Sequence, residues 1–330
     1  MKVVLVSGGT GGHISPALSV SAELERRKVS KVLLLGGLKV DFPVNESFLE
    51  FSAGEIKLGN LRRILKGVFQ TFDVVVEGDV LLGFGGYPQL PPMINAIINN
   101  KPFFLFEGDA VAGKSNKLLS VFSRGVFCAF RSAVKFFPKG IFVGIPVRKL
   151  EVYEREHAHK VLGIDTELPV IGIIGGSQGS KFLNEIAKNL ADLNKFFVLG
   201  IVGKRGENAE GKNYKFIKFL EDISLFYSAV DVVISRAGMS SIGEICYFKK
   251  PALFIPYSYA GGHQVFNAMD VYNFGAAEML LERDVGIVKV AETLEKLLKN
   301  SEKYIRKLSQ YFEPYAEKRI VDVLINWKAP

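Results

Sequence analysis

The sequence predicts an α/β protein built from two doubly wound, Rossmann-like domains facing one interdomain cleft. Its 330 residues exceed what one hydrophobic core usually organises. Short apolar runs alternate with helical stretches along the whole chain. A strand, a glycine-rich loop and a helix open the sequence, and the same succession starts afresh near residue 170.

Lys2 to Val6 reads as a buried parallel strand, followed by the Gly8 to Gly12 loop, a helix from Pro16 to Arg27 and a strand from Lys31 to Leu35. Val74 to Val76, Val80 to Leu82, Phe103 to Phe106, Val126 to Ala129 and Ile141 to Val143 are the further strand candidates of the first half. A boundary is expected near residue 148, ahead of a charged helix from Glu151 to Leu162. The second half then offers strand Val170 to Ile174, loop Gly175 to Gly179 and helix Lys181 to Leu190. Strands Phe197 to Ile201, Tyr214 to Ile217, Val232 to Ser235, Ala252 to Phe254 and Ala277 to Leu280 continue it. Domains of 1–148 and 149–330 result, and the last helices, Val290 to Trp327, are able to cross back and brace the first domain.

Forty-eight per cent hydrophobic and 23% charged residues describe an ordinary globular chain. Cys128 and Cys246 stand far apart with no CxxC pair, which argues against a disulfide framework or structural zinc and fits a reducing cytoplasm. No export signal is expected, and apolar runs such as Val32 to Leu35 are too short to span a bilayer, so any membrane contact must be peripheral. The net charge is +8, and residues 1–150 carry all of it: 19 Lys and Arg against 11 Asp and Glu, whereas 151–330 balance at 23 and 23. Such asymmetry suits nucleic acid, an anionic substrate or an anionic membrane, or simply serves solubility.

Ser7-Gly8-Gly9-Thr10-Gly11-Gly12-His13 sits where a strand meets a helix, and glycines there let backbone amides approach a phosphate. The dinucleotide pattern GxGxxG fails at Ile14, and no acidic residue ends the second strand at Leu35-Gly36-Gly37. No GxxxxGK[ST] sequence is present here either. His13 lies in the first helical turn, where the dipole opposes protonation; it is either a general base or a structural cap on the loop. Gly175 to Ser180 repeats the device, with Ser177 offering a hydroxyl to a second phosphate. Ser235-Arg236-Ala237-Gly238-Met239-Ser240-Ser241 opens another helix, in which Glu244 either meets ribose hydroxyls or is a solvated helix residue. Leu61, Ile64, Leu65, Val68, Phe69 and Phe72 share one helical stripe, with Arg62, Arg63 and Lys66 off it. That stripe is expected to pack on the first sheet, as in a crossover helix.

GGTGGH at Gly8 to His13, GFGGY at Gly83 to Tyr87, GGSQGS at Gly175 to Ser180, SRAG followed by Glu244, and PALFIPY…HQ…NA at Pro251 to Ala268 together resemble the MurG family. That family comprises the UDP-N-acetylglucosamine:N-acetylmuramyl-(pentapeptide) pyrophosphoryl-undecaprenol N-acetylglucosaminyltransferases of bacterial peptidoglycan synthesis. The resemblance implies a GT-B fold and an inverting transfer of GlcNAc from UDP-GlcNAc to the 4-hydroxyl of the muramyl sugar of lipid I, giving lipid II. No cofactor and no metal is implied. By position, Thr10, Gly11 and Gly12 form the first acceptor-side loop with His13 as general base, and Tyr87 belongs to the second. Arg148 matches the arginine of the family's GNPVR motif. Ser177 is implied at the donor diphosphate, Leu220 at uracil, Met239, Ser240, Ser241, Ile242, Gly243 and Glu244 around phosphate and ribose, and Gln264 at the sugar.

Two motifs depart from the family. Phe106-Glu107-Gly108-Asp109 stands where HEQN is usual, so Asp109 replaces an amide near the ligands and is either an alternative base or merely a loop acid; Gly144-Ile145-Pro146-Val147-Arg148 replaces GNPVR. An undecaprenyl-linked acceptor implies peripheral docking on the anionic cytoplasmic leaflet, with Arg62, Arg63 and Lys66 as the docking cations. Nucleic acid is not an expected partner. The rival expectations are another UDP-sugar enzyme of this fold, such as a UDP-GlcNAc 2-epimerase or a glycolipid glycosyltransferase, and a non-catalytic UDP-sugar-binding subunit; the paired acceptor-side loops weigh against both.

Overall fold

A computed structural model describes residues 1–8, 11–37, 47–54, 58–176, 178–258 and 262–327. The chain forms two compact units, Met1–Lys149 with Glu313–Pro330, and Leu150–Phe312. In the first, the elements run β1 (Lys2–Gly8), α1 (Gly11–Arg26), β2 (Ser30–Gly36), β3 (Leu49–Phe51), α2 (Leu61–Glu77), β4 (Val80–Gly83), α3 (Leu90–Ile98), β5 (Phe103–Glu107), α4 (Lys114–Leu119), β6 (Gly125–Cys128) and β7 (Gly140–Phe142). The sheet order is β3-β2-β1-β4-β5-β6-β7, and every pairing is parallel. Helices cover both faces, which is why strands such as Val3-Val4-Leu5-Val6 and Phe103-Phe104-Leu105-Phe106 are apolar without alternation and wholly buried.

The chain leaves β1 toward β2 and later returns to β4 on the other side. Right-handed crossovers then place α1 on one face of the sheet and α2, α3 and α4 on the other. Helix α1 and the chain after β4 thus depart to opposite faces at the carboxyl edge, the position where open α/β sheets take their ligands.

Two expectations for α2 are corrected. Val74 to Val76 is not a strand but the last turn of α2; Val75 is buried with Gly67 and Thr71 at four-residue spacing, and the amide of extended Gly78 closes the helix on Val74 and Val75 carbonyls. The β-branched run is overridden by that packing. Nor does the apolar stripe pack on the sheet. The smallest residues face inward, where α2 meets α3, while Leu61, Leu65, Phe69 and Phe72 are exposed, Phe69 by 82%.

The second unit runs α5 (Arg155–Leu162), β8 (Val170–Ile174), α6 (Lys181–Asp192), β9 (Phe197–Ile201), β10 (Ala209–Gly211), β11 (Tyr214–Ile217), α7 (Ile223–Ala229), β12 (Val232–Ser235), α8 (Met239–Tyr247), β13 (Ala252–Phe254), α9 (His263–Asn273), β14 (Glu278–Met279), α10 (Ile287–Lys299) and α11 (Ser301–Tyr311). Its order, β10-β11-β9-β8-β12-β13-β14, reverses beside β8 as the first does beside β1, and only the β10–β11 pair is antiparallel. Ile171, Ile173, Leu183, Leu190, Val198, Ile234 and Leu294 centre its core. Helix α5 begins at Arg155 rather than Glu151. The preceding residues are held extended, because the amides of Glu151 and Tyr153 donate to the Ser224 and Ser228 hydroxyls at 3.3 and 3.1 Å.

The final helix, α12 (Ala316–Asn326), packs on α1 of the first unit. Arg319 donates from Nε and Nη2 to the Val143 carbonyl at 3.1 and 2.8 Å, Arg27 pairs with Asp322, and Trp327 meets Phe104 edge-on. A Cβ at Gly67 would lie 2.1 Å from the Ser52 carbonyl oxygen. Gly67→Leu is therefore expected to cost about 1 to 3 kcal/mol through overpacking, read as a lower urea midpoint.

Candidate active site

His13 stands in the first turn of α1, directly beneath the loop that follows β4. Its Nδ1 lies 2.9 Å from the Phe84 carbonyl oxygen, an acceptor only, so Nδ1 carries the proton and Nε2 keeps its lone pair. Gly85 and Gly86 have φ of +87° and +73°, and added Cβ atoms would sit 3.4 Å and 3.3 Å from the imidazole. Glycine is what allows this loop to close over the ring. Burial, the largest effect, holds the His13 pKa below its ordinary value; the Asp109 charge and the Phe84 bond oppose the shift. Sequence-predicted His13, Gly12, Tyr87 and Asp109 are thus gathered at the carboxyl edge of β1, β4 and β5. Thr10 lies outside the described residues, Gly11 starts α1, and Arg148 is exposed beyond edge strand β7.

Behind His13 runs a buried polar chain. The Gly85 amide donates to Gln89 Oε1 at 3.0 Å, Gln89 Nε2 donates to Asn116 Oδ1 at 2.7 Å, and Asn116 Nδ2 donates to the Phe106 carbonyl and Glu107 Oε2 at 2.9 and 3.0 Å. Glu107, at the end of β5, also accepts from the amides of Gly113 and Asp109 at 2.8 and 3.2 Å. Desolvation dominates and pushes its carboxyl up to about 7, against those hydrogen bonds.

In the second unit the Gly175 to Gly179 loop follows β8, and the Gly179 amide donates to the Gly176 carbonyl at 2.9 Å, closing a tight turn. Ser177 lies outside the described residues. Ser180 caps α6 by accepting from the Leu183 amide, and its hydroxyl accepts from Arg236 Nη2 at 3.0 Å. Arg236 is buried at the end of β12, donates to the Ile255 carbonyl at 2.9 Å and pairs with Glu282 at 2.5 Å. It ties the loops after β8, β12 and β13 together. Helix α8 aims its amino end at the same edge. Met239, Ile242 and Gly243 are buried, and the Ile242 amide donates to the Gly238 carbonyl at 3.0 Å; Ser240, Ser241 and Glu244 are half-buried, and Glu244 accepts from the Tyr227 hydroxyl at 3.0 Å. Gln264 Oε1 accepts from the Tyr257 amide at 3.0 Å, and Leu220 is half-buried between β11 and α7.

Paired Rossmann-like units, each with a glycine-rich loop at its switch point, have the GT-B architecture, and the class they belong to is that of the glycosyltransferases. Residues 3–128 match the glycosyltransferase family 28 N-terminal domain and residues 170–321 its C-terminal domain. The Aquifex aeolicus UDP-N-acetylglucosamine–N-acetylmuramyl-(pentapeptide) pyrophosphoryl-undecaprenol N-acetylglucosamine transferase is 31% identical over 98% of this chain and 100% of its own length. Its counterpart in Sulfurihydrogenibium sp. is 30% identical over 98% of each. Among solved structures, Acinetobacter baumannii MurG shares the fold with a TM-score of 0.76 at 24% identity, covering 99% of both chains. Neisseria meningitidis UDP-GlcNAc 2-epimerase gives 0.66 at 15% identity, covering 99% of this chain and 100% of its own. The chain belongs to the MurG family of N-acetylglucosaminyltransferases.

Glu107 keeps its proton above the unfolded value, so folding takes up a proton between pH 4.5 and about 7 and its contribution to stability falls as pH rises through that window. Glu107→Gln removes the term. Urea unfolding at pH 5 and 7.5 is expected to show the variant gaining on the wild type at the higher pH; parallel profiles would mean Glu107 ionises normally. Arg236→Met leaves half-buried Glu282 without this partner and the Ser180 and Ile255 oxygens without their donor, and is expected to cost about 1 to 3 kcal/mol in the same assay.

Proposed function

We propose that this chain transfers GlcNAc from UDP-GlcNAc to the 4-hydroxyl of the muramyl sugar of an undecaprenyl-pyrophosphoryl acceptor, lipid I, with inversion at the anomeric carbon. The observation that carries the reading is His13, neutral and with Nε2 as its unprotonated nitrogen, in the acceptor-side loop of a chain matched over its full length by transferases of that name. Nε2 takes the proton of the attacking hydroxyl. The UDP leaving group gains negative charge, which backbone amides at the amino ends of α6 and α8 and the Ser177 hydroxyl stabilise as fixed dipoles, without a metal. Glu244 holds the ribose, Leu220 packs by the uracil and Gln264 addresses the sugar. Asp109, the alternative base, serves instead to offset the desolvation of His13. The epimerase likeness reflects fold alone.

The acceptor's lipid tail requires a membrane-facing surface, and α2 supports one. Exposed Leu61, Leu65, Phe69 and Phe72 stand beside exposed Arg62, Arg63 and Lys66. Ile98 at the end of α3 and Leu118, Val121 and Phe122 around α4 are exposed on the same side of the sheet. No helix among the described residues is long and apolar enough to cross a membrane. We place the docking on the cytoplasmic face, where each cation near an anionic leaflet contributes about 1 kcal/mol.

Incubation with radiolabelled UDP-GlcNAc and a lipid I analogue is expected to give a labelled disaccharide lipid, and no product would remove the reading. His13→Ala is expected to lose turnover at least about a hundredfold while keeping UDP-GlcNAc affinity. Because His13 titrates below 6.5, kcat should hold as pH falls through 6.5 and decline only below it. Changing Arg62, Arg63 and Lys66 to Glu should weaken cosedimentation with anionic vesicles; equal binding would sink this placement.

A further inference from the structure

The hydrogen bonds around His13 converge on one peptide group. The Phe84 carbonyl that meets His13 Nδ1 and the Gly85 amide that meets Gln89 Oε1 are the two ends of the same peptide plane. Each orientation behind that plane is dictated. A backbone amide can only donate, so Gln89 must present Oε1 to it and Nε2 to Asn116 Oδ1. Asn116 must then turn Nδ2 toward two acceptors, the Phe106 carbonyl and the Glu107 carboxyl. Gln89 and Asn116 are 0% and 2% exposed, so no bulk water substitutes for a lost partner.

Without this clamp the plane has little to hold it. A peptide flip changes ψ of Phe84 and φ of Gly85, and glycine accepts either sign of φ. The flipped plane would aim an N–H at the imidazole, turning Nδ1 into an acceptor and moving the proton to Nε2. A histidine protonated at Nε2 and unprotonated at Nδ1 cannot take a proton at Nε2.

We propose that Gln89, itself oriented by Asn116, is a positioning residue that locks the Phe84–Gly85 peptide plane and so fixes His13 in the tautomer with Nδ1 protonated. The catalytic consequence rests on His13 being the base; the tautomer does not.

The test is ¹⁵N NMR of the full chain labelled at histidine, at pH 8, with the His13 resonances assigned by their loss in His13→Gln. Wild type should show Nδ1 protonated and Nε2 unprotonated. Gln89→Met, similar in volume but without polar atoms, should move His13 toward the other tautomer and lower kcat about ten- to a hundredfold with KM for UDP-GlcNAc within about twofold. Gln89→Glu keeps an acceptor for the Gly85 amide and should preserve the wild-type tautomer. Asn116→Ala, the second variant should Gln89→Met fold poorly, should give a mixture. An unchanged His13 tautomer in Gln89→Met, or in Asn116→Ala if that is the variant that folds, overturns the proposal. A changed tautomer with unchanged kcat upholds the clamp and removes His13 from the mechanism instead.

Discussion

In an open parallel sheet, successive loops crowd one another except where the chain's direction of travel across the sheet reverses. Each unit here has one such reversal, beside β1 and beside β8, and each candidate site depends on it. At the first, α1 departs to one face and the chain after β4 to the other, leaving room for His13 between them. At the second, the loops after β8 and β12 part in the same way, and two helix amino ends face the gap. Glycine is needed where these loops touch: a Cβ at Gly179 would lie 2.1 Å from the Val202 carbonyl oxygen.

Both edges are held by buried polar groups. In the first unit a carboxyl, two amides and a peptide plane form a directional chain, and its desolvation shows in the raised pKa of Glu107. In the second, buried Arg236 pairs with half-buried Glu282. Apolar residues would fill either space at lower desolvation cost. They could not orient a peptide plane, or fasten three loop ends to a single guanidinium.

The strands were legible because buried parallel strands are continuous apolar runs, and nearly all fall within a residue or two of expectation. Short edge strands β3 and β10 carry no such run. Val74 to Val76 misled because propensity is local, whereas the packing of Gly67, Thr71 and Val75 against α3 is not. The α2 stripe misled for a related reason: amphipathicity shows that a helix has an apolar side, not which side the core takes. His13 and the glycine loops stood out by position after a strand. Gln89, Asn116 and Glu107 did not, since their roles come from a chain linking three separate turns; the one hint is a glutamate closing the apolar run Phe103-Phe104-Leu105-Phe106. Arg236, at the end of an equally apolar strand, gave the same hint in the second unit.

The charge distribution now acquires a structural reading. The second half of the sequence is neutral, and buried Arg236 is matched by Glu282, so Arg236 adds orientation rather than an unpaired charge to the Gly175 to Gly179 edge. An anion proposed to bind there would be met by dipoles from amides at the starts of α6 and α8. Dipoles held by a folded backbone need no reorganisation as charge develops on a departing diphosphate. The surplus of cations lies elsewhere, in the unit whose α2 exposes Leu61, Leu65 and Phe69 beside Arg62, Arg63 and Lys66. On the proposed function the basic face of α2 serves recruitment and the transfer chemistry falls to His13 and the helix amino ends, so mutations of that face should alter recruitment and salt dependence without touching the transfer step.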